Sequence, residues 1–122
     1  MVFSNVSEVM IMEKLVEMQL NPDKSLLDAA RRTQLLKQLP QWVMFEGGAE
    51  LQLVRQFKFG DFATALQFAN RVAVLAEEKN HHPALLIEWG KVTVTWWTHS
   101  LGGLHINDFI MAAHTEKMYT LN

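Results

Sequence analysis

Residues 62–76 constrain the fold of this chain more than any other stretch. Phe62, Ala65, Leu66, Ala69, Val72, Ala73 and Ala76 recur at the i, i+3, i+4, i+7 spacing of one helical face. Alanine dominates that stripe, so the helix backbone can lie close against a sheet. Asp61 stands where an N-cap carboxylate accepts free backbone N–H groups, and Lys79-Asn80 marks the end. A helix this apolar on one side must bury that side, and the flanking sequence supplies strands to bury it on.

Upstream, Trp42-Val43-Met44-Phe45, the turn Glu46-Gly47-Gly48-Ala49 and a strand from Leu51 to Phe59 read as a hairpin. Downstream, Leu85 to Trp89, the turn Gly90-Lys91 and Val92 to Thr98 read as a second. Val92, Val94 and Trp96 alternate with Thr93, Thr95 and Trp97, the period of a strand with one buried face. From Lys24, the residues Leu26, Leu27, Ala30, Leu35 and Leu39 predict a helix that Pro40 stops. After the Gly102-Gly103 bend, a last helix over 106–119 turns Phe109, Ile110, Ala113 and Met118 inward, with Asp108 in its first turn. The order α-β-β-α-β-β-α specifies an α+β fold: a four-stranded antiparallel sheet with helices packed on one face. A short amphipathic helix is predicted over 6–19, ended by Asn21-Pro22-Asp23. It has no place in that order, so residues 1–22 read as an N-terminal helical extension and 23–122 as the domain.

A chain of 122 residues fits one domain with a single modest core. The formal net charge is −2 and the longest basic run is Arg31-Arg32, which argues against direct nucleic-acid binding. There are no cysteines, so disulfides and thiolate metal sites are excluded. Glu8, Glu13, Lys14 and Glu17 interrupt the first twenty residues, unlike a secretory leader. No window reaches the ~18 apolar residues of a membrane span. A cytoplasmic location, with no membrane contact, is expected.

Chemistry concentrates in His81-His82-Pro83 and Thr98-His99, which bring three of five histidines to the ends of elements. Pro83 holds His82 in an extended conformation. Imidazole titrates near pH ~6.5 and can exchange protons around neutrality without a cofactor. Each histidine taken alone also reads as a surface or helix-terminal residue. Metal ligation by the three imidazoles is the competing chemistry. Adjacent residues of an extended segment diverge, however, and the three lack His-x-His or His-x-x-x-His spacing, so no metal is expected. Glu77, four residues before His81, is close enough to orient it if the chain turns there. Asp108 reads either as a first-turn acid favoured by the helix dipole or as a group that fixes an imidazole tautomer. Trp96-Trp97 reads as core plus interface.

Phe59, Phe62-Ala63-Thr64-Ala65, Phe68, Val72-Ala73, Ala76-Glu77, His81-His82-Pro83, Val92-Thr93-Val94, Thr98-His99, Gly103-Leu104 and Asp108-Phe109 form a joint pattern. Together with Leu35-Leu36-Lys37-Gln38-Leu39-Pro40-Gln41-Trp42, it resembles the pterin-4a-carbinolamine dehydratases over about residues 25 to 120. The resemblance implies a four-stranded sheet with helices on one side, and a homodimer or homotetramer. It implies dehydration of a 4a-hydroxytetrahydropterin to the quinonoid dihydropterin, recycling the pterin cofactor of aromatic amino acid hydroxylases. The pterin is then the substrate, and no separate cofactor is implied. The family's catalytic histidines fall on His81, His82 and His99, with Glu77, Pro83, Thr98 and Asp108 lining or supporting the substrate site. His82 is expected to act at the departing hydroxyl, His99 in the complementary acid/base role, and His81 in holding the pterin. The alternative implied is a non-catalytic protein-binding module, since animal members also serve as a dimerisation cofactor for a transcription factor through a helical face. Three positions depart from the pattern: Asn80 where some relatives carry an acid, Leu85 where animal members have tryptophan, and His105 at the usual Ser/Thr cap of the last helix. The last is expected to weaken that helix by loss of the cap oxygen.

Overall fold

The computed structural model describes residues 14–46, 48 and 50–121. Seven principal elements follow the predicted order: α1 (Ala29–Leu36), β1 (Val43–Glu46), β2 (Leu51–Lys58), α2 (Phe62–Lys79), β3 (Ala84–Glu88), β4 (Lys91–Trp96) and α3 (Ile106–Thr120). The strands form one sheet in the order β1-β2-β4-β3, every neighbour antiparallel. Residues 62–79 are helical as expected, but the predicted stripe is only partly buried. Ala65, Ala69, Val72 and Ala76 join Phe68 in the core, while Phe62, Leu66 and Ala73 are exposed because the core covers a narrower arc of the helix. Asp61 accepts the Thr64 N–H at 2.8 Å.

One sheet face is dry. Leu53, Phe57, Val92, Val94 and Trp96 are fully buried on it, against Ala65, Phe68, Ala69, Val72 and Ala76 of α2 and Phe109, Ile110 and Ala112 of α3. An aromatic group centred on Phe57 closes one end of this core, with ring centroids 4.9 Å from both Phe68 and Tyr119. Such pairs contribute about 0.5–1.5 kcal/mol each beyond their buried area. The Trp96 indole N–H, on the dry face, donates to the Thr115 hydroxyl at 3.2 Å. Trp97 points to the other face and is only half-buried.

Three further expectations need correction. The helix expected from Lys24 begins at Ala29, because the Asp28 carboxylate accepts the Arg31 N–H and sets the cap there. Residues ahead of it bond elsewhere: the Leu27 N–H donates to the Leu104 carbonyl at 3.0 Å. Of the helix expected over 6–19, residues 6–13 lie outside the described residues. Leu15–Glu17 form a single 3-10 turn, after which the chain is extended. Leu15 is nevertheless fully buried in the core, and its N–H donates to Gln38 Oε1 at 2.9 Å.

The third concerns His105, which does cap α3. Its Nδ1 accepts the Asn107 N–H at 3.0 Å, and its own N–H donates to Asp108 Oδ2 at 2.9 Å. An imidazole nitrogen replaces the expected hydroxyl oxygen as acceptor, so the capping box is complete.

Candidate active site

The site is assembled where α2 ends, β4 ends and α3 begins. Asn80 terminates α2 in the left-handed region (φ 51°, ψ 43°), a conformation that asparagine tolerates better than most residues. The Asn80 and His81 N–H groups both return to carbonyls of the last helical turn. The reversed chain therefore sends His81 inward and His82 outward.

His81 Nε2 lies 2.6 Å from Asp108 Oδ1. Asp108 is fully buried, and its other oxygen accepts the Thr98 hydroxyl at 2.7 Å and the His105 N–H. Three donors thus converge on one carboxylate contributed by the first turn of α3. With Nε2–H directed at that acceptor, Nδ1 carries the lone pair of the neutral ring. The His81 ring also stacks on Trp96, with centroids 5.8 Å apart and planes at 15°. Hydrogen bond and ring face together leave His81 one orientation.

His82 pairs through Nε2 with the Glu77 carboxylate, and both are substantially exposed. Glu77 therefore meets His82, not His81: the left-handed turn at Asn80 gives the acid one turn earlier to the outer imidazole. His99 opens a 3-10 turn (His99–Leu101) and its side chain is 86% exposed. Its Nδ1 lies 3.7 Å from Glu50 Oε2, and its ring sits edge-on to Trp97 at 6.5 Å. Pro83 is half-buried ahead of β3.

A cavity of about 660 Å³ opens beside this network. His81 and Thr98 line it, together with Asn80, Ser100 and Leu101. His82 and His99 are outside its lining. The rest of the wall comes from Asn21 to Lys24, His105 and Asn107. None of these last residues is marked as a site residue by the sequence alone. His105 was the available signal, since a histidine at a position suited to Ser or Thr suggests a second partner for its ring. Among the described residues, no group of three His, Asp or Glu side chains is arranged to hold a metal ion.

The chain's likeness to known proteins is extensive. Residues 25–118 match the family model described as pterin 4 alpha carbinolamine dehydratase. A protein of Marinobacter nauticus, named "Putative pterin-4-alpha-carbinolamine dehydratase", is 56% identical over 92 residues, covering 75% of this chain and 82% of the relative. One of the same name from Chlorobaculum tepidum is 58% identical over 83 residues, covering 68% and 75%. Among solved structures, a "transcriptional coactivator/pterin dehydratase" from Brucella melitensis superposes with a TM-score of 0.71 at 32% identity, covering 78% of this chain and 99% of that one.

Proposed function

This chain belongs to the pterin 4 alpha carbinolamine dehydratase family, and from that membership we propose that it dehydrates a 4a-hydroxytetrahydropterin to the quinonoid dihydropterin and water. In the cell this step recycles the pterin for aromatic amino acid hydroxylases. The reading that carries most weight is the His81–Asp108–Thr98 network at the wall of a cavity large enough for a fused bicyclic ring. A polar network with a fixed imidazole, set in a concave site, is what recognition of a heterocycle requires.

Dehydration breaks the C4a–O bond and removes the proton on N5. The departing hydroxyl leaves as water once protonated, and the N5 lone pair forms the new double bond. By the family resemblance His82, its ring held by Glu77, is assigned to the departing hydroxyl and His99 to the complementary acid/base role, both from outside the cavity's lining. His81, held by Asp108, offers Nδ1 to the pterin ring. Each general acid or base contributes roughly 10²–10⁴ in rate. The reading includes a cytoplasmic homo-oligomer, for which β1 supplies a free sheet edge. The test is direct: supply the carbinolamine to purified protein and follow dihydropterin formation by stopped-flow absorbance. A rate above the buffer-only reaction supports the proposal, and a rate equal to it overturns it.

A protein-binding role is the second reading. Phe62, Leu66 and Val74 of α2 are 46%, 39% and 58% exposed, apolar positions that the core leaves uncovered. The N-terminal segment is a further docking candidate. Deleting residues 1–13, which spares the buried Leu15, separates the two readings: pterin turnover that survives while a protein contact disappears favours the binding role.

A further inference from the structure

Residues 21–27 run across the start of α3 as an extended strap, held by four hydrogen bonds. The Asn21 N–H donates to Asn107 Oδ1 at 2.7 Å, and Asn107 Nδ2 donates back to the Asn21 carbonyl at 2.9 Å. The Leu27 N–H donates to the Leu104 carbonyl at 3.0 Å. The fourth bond runs from His105 Nε2–H to the Asp23 carbonyl. Since His105 Nδ1 accepts the Asn107 N–H, the proton must sit on Nε2, and the ring is a fixed two-ended bracket. The same residue's backbone N–H donates to Asp108, the carboxylate that holds His81. One residue therefore joins the strap to the centre of the site.

The strap is also a wall. Asn21, Pro22, Asp23 and Lys24 line the cavity, and all four precede the stretch matched to the family. At about 660 Å³ the cavity is larger than two fused six-membered rings require. A ring seated against His81 leaves space bounded by the strap, whose Asn21, Asp23 and Lys24 offer polar groups of both hydrogen-bonding senses. Lys24 has no ion-pair partner among the described residues. Pterins differ chemically at the substituent on C6, the carbon next to N5, which projects outward on the side opposite the pyrimidine ring.

We propose that the strap, positioned by His105 and Asn107, determines substrate specificity by selecting a polar, hydroxylated substituent on the ring. This rests on the pterin reading of the site given above. His105 and Asn107 act through the strap and are positioning residues.

Two variants release it. His105→Ser keeps a cap hydroxyl for α3 but loses the bond to Asp23, and Asn107→Ala loses both bonds to Asn21. Binding of 7,8-dihydrobiopterin, with its dihydroxypropyl chain, and of its 6-methyl counterpart would be measured by calorimetry. Melting curves on the same samples report folding, and the second variant stands in if the first fails to fold. The wild type should prefer the hydroxylated pterin, and each variant should lower that preference about tenfold, the effect of one or two lost hydrogen bonds. Hydrogen exchange at the Leu27 amide should accelerate in parallel. Affinities that fall equally for both ligands, or a preference that persists after the strap opens, overturn the inference while leaving the pterin reading intact. A wild type that binds neither pterin overturns both.

Discussion

His81 and Asp108, 27 residues apart in the chain, meet at 2.6 Å where the end of one helix faces the start of another. The carboxylate is wholly buried and the imidazole is half-buried, so their contact is largely shielded from water. A hydrogen bond in that setting orients the ring more firmly than one at the surface. It also ties the position of His81 to the capping of α3, because both depend on the same carboxylate.

Asp108→Asn is therefore expected to affect catalysis and folding alike. The amide oxygen can still accept from Thr98 or His105, but its NH₂ group cannot accept from the ring N–H. We expect kcat to fall about 10–100-fold as His81 loses its orientation, with a stability loss of about 1–3 kcal/mol from the strained network. Steady-state kinetics and urea melts measure the two effects. An unaltered kcat would remove His81 orientation from the mechanism.

His82→Ala and His99→Ala address the outer imidazoles. Both side chains are exposed, at 53% and 86%, so neither substitution opens a core cavity. Each should lower turnover roughly 10²–10⁴-fold while the melting temperature stays within a degree or two. Stopped-flow rates at wild-type level in both variants would end the proposed acid/base assignment.

Leu15→Ala tests whether the segment before the predicted domain is part of the core. Leu15 is fully buried, so truncation should cost about 2–5 kcal/mol. Chemical denaturation of the variant gives the number. A loss under ~0.5 kcal/mol would mean that residues around Leu15 detach in solution.

Stability should also fall on mild acidification because of His114. Burial holds this imidazole below its usual range, and Lys79 and then Lys117 add to the effect. Hydrogen bonds to the Val16 and Met18 backbone oppose it. The folded state thus binds its proton less readily than the unfolded chain does. Stability is complete above about pH 6.5 and declines as pH falls toward the depressed folded value. Asp61, lowered by its bonds from Thr64, loses its contribution only in the more acidic carboxylate range. His114→Gln should flatten the decline near pH 6, read from melting temperature against pH. An unchanged slope would show that another group governs it.

Much of the fold was legible in the sequence. The alternation through Val92, Val94 and Trp96 and the inward set Phe109, Ile110 and Ala113 each lie on one element and are buried as expected, as are Ala65, Ala69, Val72 and Ala76 of the 62–76 stripe, whereas its Phe62, Leu66 and Ala73 are exposed. Such patterns survive because a single helix or strand has one period, and an apolar face has one place to go. The start of α1 is not legible because Leu26 and Leu27 fit helical spacing, while the Leu27 N–H is engaged by the Leu104 carbonyl, far along the chain.

Element order, the sheet and the chemically capable residues were thus set by local periodicity and residue type, which act within a dozen residues or so. Partnership was not. That Asp108 takes His81, that Glu77 takes His82, and that His105 reaches back to Asp23 depended on a left-handed turn at Asn80 and on how two helix ends meet over the sheet. Hydrogen bonds act over about 3 Å, and linear spacing does not determine which distant groups approach so closely. Only packing does.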